Sequence, residues 1–524
     1  MTMKALAAAL CAALLAALPA SAELIRTPDA RADDAAGPYD SLIISGAKVI
    51  DGSGAPPYGP VDIRVEGDRI AAMGKPGTLG AASRTISADG MFVLPGFVDT
   101  HVHTGDPQKA PNADYAYRLW LAHGVTSARG VPLYTAENDA GLSDSRRQLT
   151  GTLTAPRLFP YAVLGSLWDG GPLRTEEDGR RWVRWAKERG YPGMKIFHPT
   201  SEAVMAGALD EAKKVNFGSV AHLGQLGVAE VNARKAVELG LGGITHFYGH
   251  FESLLDGNRV QTFPAGYNYN DEQDRFSHVA DLADQIVEPG SERWNDYLDF
   301  LLEKGVTLSP TFNIYSASRD VMRTRTFEWH DEYTLPSLMA FYTPSPDSHG
   351  SYYLDWSTGD EVKWRRFYRP FMQLVDEYQA RGGRVTAGSD PGFIYQTFGF
   401  AYIGELEMLQ EAGLTPLEVI RAATIDGAKE IYEPLGEEAP MGLVRAGMLA
   451  DLIVVPENPL SNFKTLYGTK HLRLSPETGE VERIGGVKWT IVGGKVYDAE
   501  ELLADVRAMV AAAKSEQTVP ATAQ

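Results

Sequence analysis

The run Leu94-Pro95-Gly96-Phe97-Val98 ends in Asp99-Thr100-His101-Val102-His103. Side chains alternate along an extended strand, so His101 and His103 share one face and Val102 turns to the other. Two imidazoles on one face at a strand end can chelate a metal ion. They can also be ordinary polar residues that terminate a strand, and the pair alone does not decide. Recurrence does. Ser219-Val220-Ala221-His222, Gly243-Ile244-Thr245-His246 and Val385-Thr386-Ala387-Gly388-Ser389-Asp390 each close a β-type run on a potential ligand. Four histidines and an aspartate, with no thiolate among them, suit Zn²⁺, with Mn²⁺, Fe²⁺ and Ni²⁺ as competitors.

A further run, Gly193-Met194-Lys195-Ile196-Phe197, carries a lysine between apolar neighbours. Lys195 is either a buried cation paired with a carboxylate or an amine whose pKa is depressed by burial. In the second case it can take up CO₂ as a carbamate, whose two oxygens can bridge two metal ions; an ammonium would repel both. Other polar residues carry less. His198 and His250 follow strand-type runs and either touch substrate or face solvent. Tyr248 either donates to a tetrahedral intermediate or packs. Arg319, Arg323 and Arg325 either clamp a substrate carboxylate or form a solvated helical face, the plainer account. His123 and His471 read as structural.

These residues need a scaffold that brings strand ends together. Buried-type strands are expected at 92–98, 124–128, 158–164, 193–197, 219–221, 243–245, 306–311 and 384–387, with helical stretches such as 180–189, 203–214 and 228–239 between them. Eight strands alternating with helices predict an α/β fold, a (β/α)8 TIM-like barrel, in which active sites sit at the C-terminal strand ends. A doubly wound open sheet is the alternative, but no G-x-G-x-x-G follows an early strand. Short β-branched runs flank the barrel on both sides, predicting a small β-sandwich formed from both ends of the chain, 39–91 and 440–500, around a barrel at 92–439. The distance from His246 to Asp390, with one clear strand between, predicts a large aromatic-rich insertion at about 251–371 that forms a lid or binding loop.

The chain has 524 residues, a formal net charge of −19 and one cysteine. That balance excludes a general nucleic-acid binder and a disulfide scaffold. Residues 1–22 combine Lys4, an apolar run from Ala5 to Leu18 and Ala20-Ser21-Ala22, the pattern of a cleaved signal peptide. Cleavage would remove Cys11, and Leu10 before it disfavours lipidation. The expectation is a periplasmic or secreted protein with no membrane association after cleavage. Residues 23–38 read as a polar linker, and the tail after Lys514 as frayed.

The combination of His101-x-His103, Lys195, His222, His246 and Asp390 resembles the amidohydrolase superfamily in its binuclear, carboxylated-lysine subtype. The imidazolonepropionase-like and Xaa-Pro dipeptidase-like branch is the most similar. Ser45–Gly52 resembles the opening strand of that family, Met408–Ala428 its post-barrel helix, and Arg445–Val454 the return to the small β-domain. The resemblance implies two divalent cations. His101, His103 and Asp390 would bind the more buried one, His222 and His246 the more exposed one, and carboxylated Lys195 would bridge them. Asp390 would be the catalytic acid and base.

The expected activity is therefore hydrolysis of an amide or peptide bond in a small molecule, a dipeptide or an N-acyl amino acid, by metal-activated water. A lactone, carbamate, cyclic amide or phosphoester hydrolase using the same site is the alternative, and a non-catalytic metal-binding protein the remote one. Deamination is disfavoured, because deaminases of the family usually keep one metal and lack the lysine. The sequence leaves open whether the chain forms a homo-oligomer.

Overall fold

In the computed structural model, residues 25–132, 140–257, 260–345 and 349–518 are described. The expected signal peptide lies outside them. Five strands open the chain: β1 (Leu42–Val49), β2 (Tyr58–Glu66), β3 (Arg69–Gly74), β4 (Arg84–Ser87) and β5 (Phe92–Pro95). Eight follow as β6 (Phe97–Thr104), β7 (Val125–Pro132), β8 (Arg157–Val163), β9 (Gly193–Ile196), β10 (Gly218–Ala221), β11 (Gly243–Thr245), β12 (Thr307–Ser309) and β13 (Arg384–Val385). The last five are β14 (Leu452–Val455), β15 (His471–Leu474), β16 (Val481–Ile484), β17 (Trp489–Val492) and β18 (Lys495–Asp498).

Strands β6 to β13 form one curled sheet in chain order, parallel throughout. Its two ends meet: the Thr100 N–H donates to the Ala387 carbonyl at 3.0 Å and the Asp390 N–H to the His101 carbonyl at 2.9 Å. This is the expected TIM-like barrel. Space inside it is made by glycine. A Cβ on Gly218 would lie 2.1 Å from the Tyr161 hydroxyl, and one on Gly193 would lie 2.5 Å from that ring, so only glycine at these strand starts lets Tyr161 fill the interior.

The second sheet runs β18-β17-β14-β5-β1-β2-β3 with β4 beside β1. It is mixed and built from both ends of the chain, around its own core of Leu42, Ile44, Ile63, Val65, Val93, Leu452, Val454 and Ile491. The run expected as the first barrel strand, 92–98, divides at Gly96. Phe92–Pro95 belongs to the mixed sheet, and the barrel begins at Phe97. A Cβ on Gly96 would lie 2.1 Å from Thr126 Oγ1, so the chain passes between the two sheets where no side chain fits.

Three expectations are corrected. The segment 251–371 is not one insertion. Helices Glu292–Lys304 and Thr358–Ala380 are the barrel's own helices, one before β12 and one before β13, and they bury Trp294 and Trp364 in the core. The additions are about 250–290 and 312–357. The second correction concerns 23–38. The described part of that segment is held down: Ile25 bonds to Pro111, Ala30 to Thr152, and Ala36 pairs with Val496. Its Asp34 is buried against Arg118, with guanidinium nitrogens 2.8 and 3.1 Å from the two carboxylate oxygens. Third, the tail expected to fray after Lys514 stays helical as far as Thr518, in the helix Ala499–Thr518, whose earlier turns bury Leu502, Leu503, Val506 and Val510 and place Asp505 2.9 Å from Arg118; residues 519–524 lie outside the described ones. The charges of residues 25–38 made that segment look solvated; in the fold Arg31 and Asp34 are paired. No helix among the described residues is long and apolar enough to cross a membrane.

Arg118 is thus the hub of a buried network with Asp34, Asp114 and Asp505. Burial alone would raise the Asp34 carboxyl, but Arg118 and the Thr154 hydroxyl hold it well below the usual carboxylate range. Its contribution to stability is therefore complete above about pH 4 and is lost as pH falls towards its own lower pKa. Arg118→Met leaves the buried Asp114 without a cationic partner, while Asp34 keeps Arg31, and should destabilise the fold by about 3–5 kcal/mol in urea unfolding at pH 7. A loss under about 1 kcal/mol would show the network to be dispensable.

Candidate metal centre

The barrel mouth opens into a cavity of about 590 Å³. Its floor carries the residues expected as ligands. His101 and His103 project from β6, and their Nε2 atoms lie 3.2 Å apart. Asp390 Oδ1 stands 3.1 Å from His103 Nε2 and 3.6 Å from His101 Nε2, and Oδ2 lies 3.7 Å from His246 Nε2. The ligand atoms of His101, His103 and Asp390 all fall within 4.8 Å of one another. The His246 ring lies 4.8 Å from that of His101 and 4.6 Å from that of His222, centre to centre. Lys195 lines the same floor. All six residues named from the sequence meet there.

Local backbone geometry aims them. His246, Thr311 and Asp390 hold φ of 65°, 49° and 45°, the left-handed region that non-glycine residues rarely adopt. Each sits just past its strand, where the chain turns sharply and the side chain swings into the mouth. Strands β12 and β13 stop short of the expected 311 and 387. Gly388 has a special reason to be glycine, because its Cβ would lie 2.7 Å from Ser309 Oγ and 2.9 Å from His101 Cβ.

A second ring of contacts fixes the ligands. Asp99 accepts from the His101 N–H at 3.2 Å and from the Ser389 N–H at 2.9 Å, and the Ser389 hydroxyl donates to its other oxygen. Thr311 donates its only hydroxyl proton to the Pro310 carbonyl, so it accepts from His246 Nδ1 at 2.5 Å. That fixes the tautomer and leaves the His246 Nε2 lone pair facing Asp390. Lys195 Nζ donates to Thr245 Oγ1 at 2.9 Å, and Thr245 passes its proton to the Ala221 carbonyl. Beneath them Arg129 pairs with Glu430 at 2.8 Å and bonds to the Thr100 carbonyl. Asp99, Thr245 and Thr311 were not singled out in the sequence. Asp99 had a signal, since it shares the face of His101 and His103 by period two; the threonines had none.

Electrostatics fit a cation site. Burial holds His101, His222 and His246 well below the usual imidazole pKa, and the Lys195 amine and neighbouring imidazoles push the same way, so these rings are neutral. Burial lowers Lys195 to about 7. His103 Nδ1 is buried with no hydrogen-bond partner. Three imidazole nitrogens crowded on a carboxylate are the donor set of a divalent metal rather than a self-sufficient polar cluster.

Of the expected substrate contacts, Tyr248 and His198 line the cavity. His250 does not. It is buried behind the wall with Nδ1 2.7 Å from the Tyr297 hydroxyl, because the short helix His250–Ser253 turns it into the core. Arg319, Arg323 and Arg325 stay outside the lining, with Arg319 paired to Glu411. His123 is structural, accepting from the Gly468 N–H and bonding to the Leu119 carbonyl. His471 lies in the hairpin β15–β16, away from the mouth.

Comparison with known proteins agrees with this geometry. Among curated proteins the chain is similar to an allantoinase of Bacillus velezensis, 36% identical over 170 residues, which are 30% of this chain and 32% of that one. A dihydroorotase of Geobacter metallireducens is 29% identical over 230 residues, 39% of this chain and 48% of the other. The chain thus spans less than half the length of these curated relatives. Among solved structures, a bottromycin amidohydrolase superposes with a TM-score of 0.61 at 20% identity, covering 90% of this chain and 91% of that one. A putative prolidase from Bifidobacterium longum superposes at 0.58 with 18% identity, covering 89% and 99%. At such identities these structures show the common fold. The profile of the amidohydrolase family matches residues 92–497, from the start of β5 through the barrel and into β18. The chain therefore belongs to the amidohydrolase family.

Proposed function

We propose that this chain is an exported binuclear hydrolase that cleaves an amide or peptide bond in a small substrate, a dipeptide or an N-acyl amino acid. The observation that carries the binuclear reading is Lys195. It is buried among four imidazoles, and its one hydrogen bond goes to a neutral hydroxyl; among the described residues no carboxylate lies within ion-pair distance of it. A buried ammonium so placed is costly. A carbamate on the same nitrogen is an anion with two oxygens, which suits a bridge between one cation held by His101, His103 and Asp390 and another held by His222 and His246. Zinc suits a set of nitrogen and carboxylate donors. The leader pattern of Lys4, Ala5–Leu18 and Ala20-Ser21-Ala22 supports export to the periplasm or beyond.

When bound, such cations supply a water that ionises near neutral pH and a Lewis acid for the scissile carbonyl. The chain supplies the rest. Asp390 Oδ1 faces His101 and His103, so Oδ2 is the atom left to take a proton from the attacking water and return it to the leaving nitrogen. Tyr248 is placed as a donor: the Tyr315 hydroxyl donates to its oxygen at 3.4 Å, which leaves the Tyr248 proton free for the oxygen that gains charge.

Asp390→Asn should lower kcat by about 10²–10⁴-fold towards N-acyl amino acids and dipeptides while metal content is retained; near-normal turnover would exclude the proton role. Lys195→Ala should lose metal by elemental analysis and regain part of its activity with short carboxylic acids, whereas full metal occupancy without rescue would argue against the bridge. Thr311→Val frees the His246 tautomer and should weaken metal affinity about 10–100-fold in a chelator competition. Purified, zinc-loaded enzyme tested on amides alongside lactones, carbamates and phosphoesters checks the bond class.

A further inference from the structure

We propose that Arg275 selects substrates that carry a carboxylate, held where the aromatic wall of the cavity reaches Phe276; this rests on the amide-hydrolase reading above. Arg275 belongs to the helix Glu272–Val279, in the first of the two additions to the barrel. It is the only guanidinium among the described residues that line the cavity. One of its nitrogens donates to Glu272 Oε1 at 2.7 Å. Nε and the other terminal nitrogen make no hydrogen bond to any described residue. A guanidinium has five N–H donors in a flat fork that matches a carboxylate, so most of that fork is unused.

The fork is also held rigid. The guanidinium lies 5.0 Å from the Tyr269 ring centre and 4.8 Å from that of Phe276. Glu272 is itself fixed, because the same Oε1 lies 2.7 Å from His349 Nδ1. A cation clamped between two rings and a carboxylate has little rotamer freedom left to lose on binding an anion. A continuous wall of rings joins it to the chemistry. His222 packs 4.7 Å from Tyr248, Tyr248 lies 6.4 Å from Tyr315, and Tyr315 lies 6.3 Å from Phe276, centre to centre. An apolar body along this wall sets a scissile bond at the metal centre and an anionic end at Arg275. The substrate class is thus an amide with an aromatic or aliphatic body and a free carboxylate beyond it.

The test compares matched pairs that differ only in that group, such as succinyl-phenylalanine p-nitroanilide and N-acyl-phenylalanine dipeptides against their carboxamide-capped forms. With zinc-loaded wild type, kcat/KM should favour the carboxylate about 10–100-fold. Arg275→Gln should bring that ratio near one by raising KM for the carboxylate far more than for the capped compound, with metal content retained; Arg275→Lys should recover part of the ratio. A wild-type ratio near one, or a preference that survives in Arg275→Gln, would overturn the assignment. Should no amide be cleaved, the amide-hydrolase reading fails by itself. Calorimetry with the same pairs then decides on Arg275: carboxylate-dependent binding that Arg275→Gln abolishes supports it, and equal or absent binding of both forms overturns it.

Discussion

The seam between the first and last barrel strands is the constraint on which the rest depends. His101 and Asp390 are far apart in the chain, and the metal cluster exists only where β6 and the segment after β13 are laced together. Two backbone hydrogen bonds, Thr100 to Ala387 and Asp390 to His101, do the lacing. Asp99 locks it, taking donors from His101 on one side and Ser389 on the other. Burial lifts the Asp99 carboxyl to about 7, so this joint has a polar group with few places to go, and its hydrogen bonds leave it one geometry. Closing the barrel and assembling the site are the same event.

The cost of that assembly is desolvation. Four imidazoles, an amine and a carboxylate gather at the floor of the cavity, with Arg129 and Glu430 paired in the layer below. Few of these groups find a complementary partner within the protein. His103 Nδ1 is orphaned, and Lys195 has only a hydroxyl. His246, Thr311 and Asp390 hold left-handed backbone conformations. Strain and unpaired polarity of this kind persist where a bound group repays them, and the donor set names a divalent cation as that group. The mixed sheet and the Arg118 network work on the other side of the ledger, tying residues 25–38 and the terminal helix onto the barrel.

The aromatic residues serve two purposes that composition alone does not separate. Trp294 and Trp364 stand on barrel helices and fill the core. Tyr269, Phe276 and Tyr352 line the cavity. In sequence both groups belong to one long stretch rich in rings. Only the helices Glu292–Lys304 and Thr358–Ala380 sort them, by turning one face inward over the strands.

The sequence by itself determined which residues gather at the barrel mouth and the class of fold. His101, His103, His222, His246 and Asp390 each end a short β-branched run, and that periodicity is local, so it can be read without coordinates. Lys195 within its own run was legible for the same reason. The two flanks that share one sheet were legible from their spacing. Contacts across the fold were not. His250 looked like a rim residue because it follows His246 closely, yet one short helix buries it against Tyr297. Residues 25–38 looked like a linker because they are charged, yet Asp34 is buried against Arg118. Thr311 and Thr245 orient a ligand and the lysine through hydrogen bonds to residues on other strands, and nothing in their own neighbourhood announces it. Arg275 differs from any helical arginine only in facing the cavity. Strand patterns are set by nearest neighbours along the chain; tautomers, buried pairs and cavity walls are set by neighbours in space, and only the closed barrel supplies those.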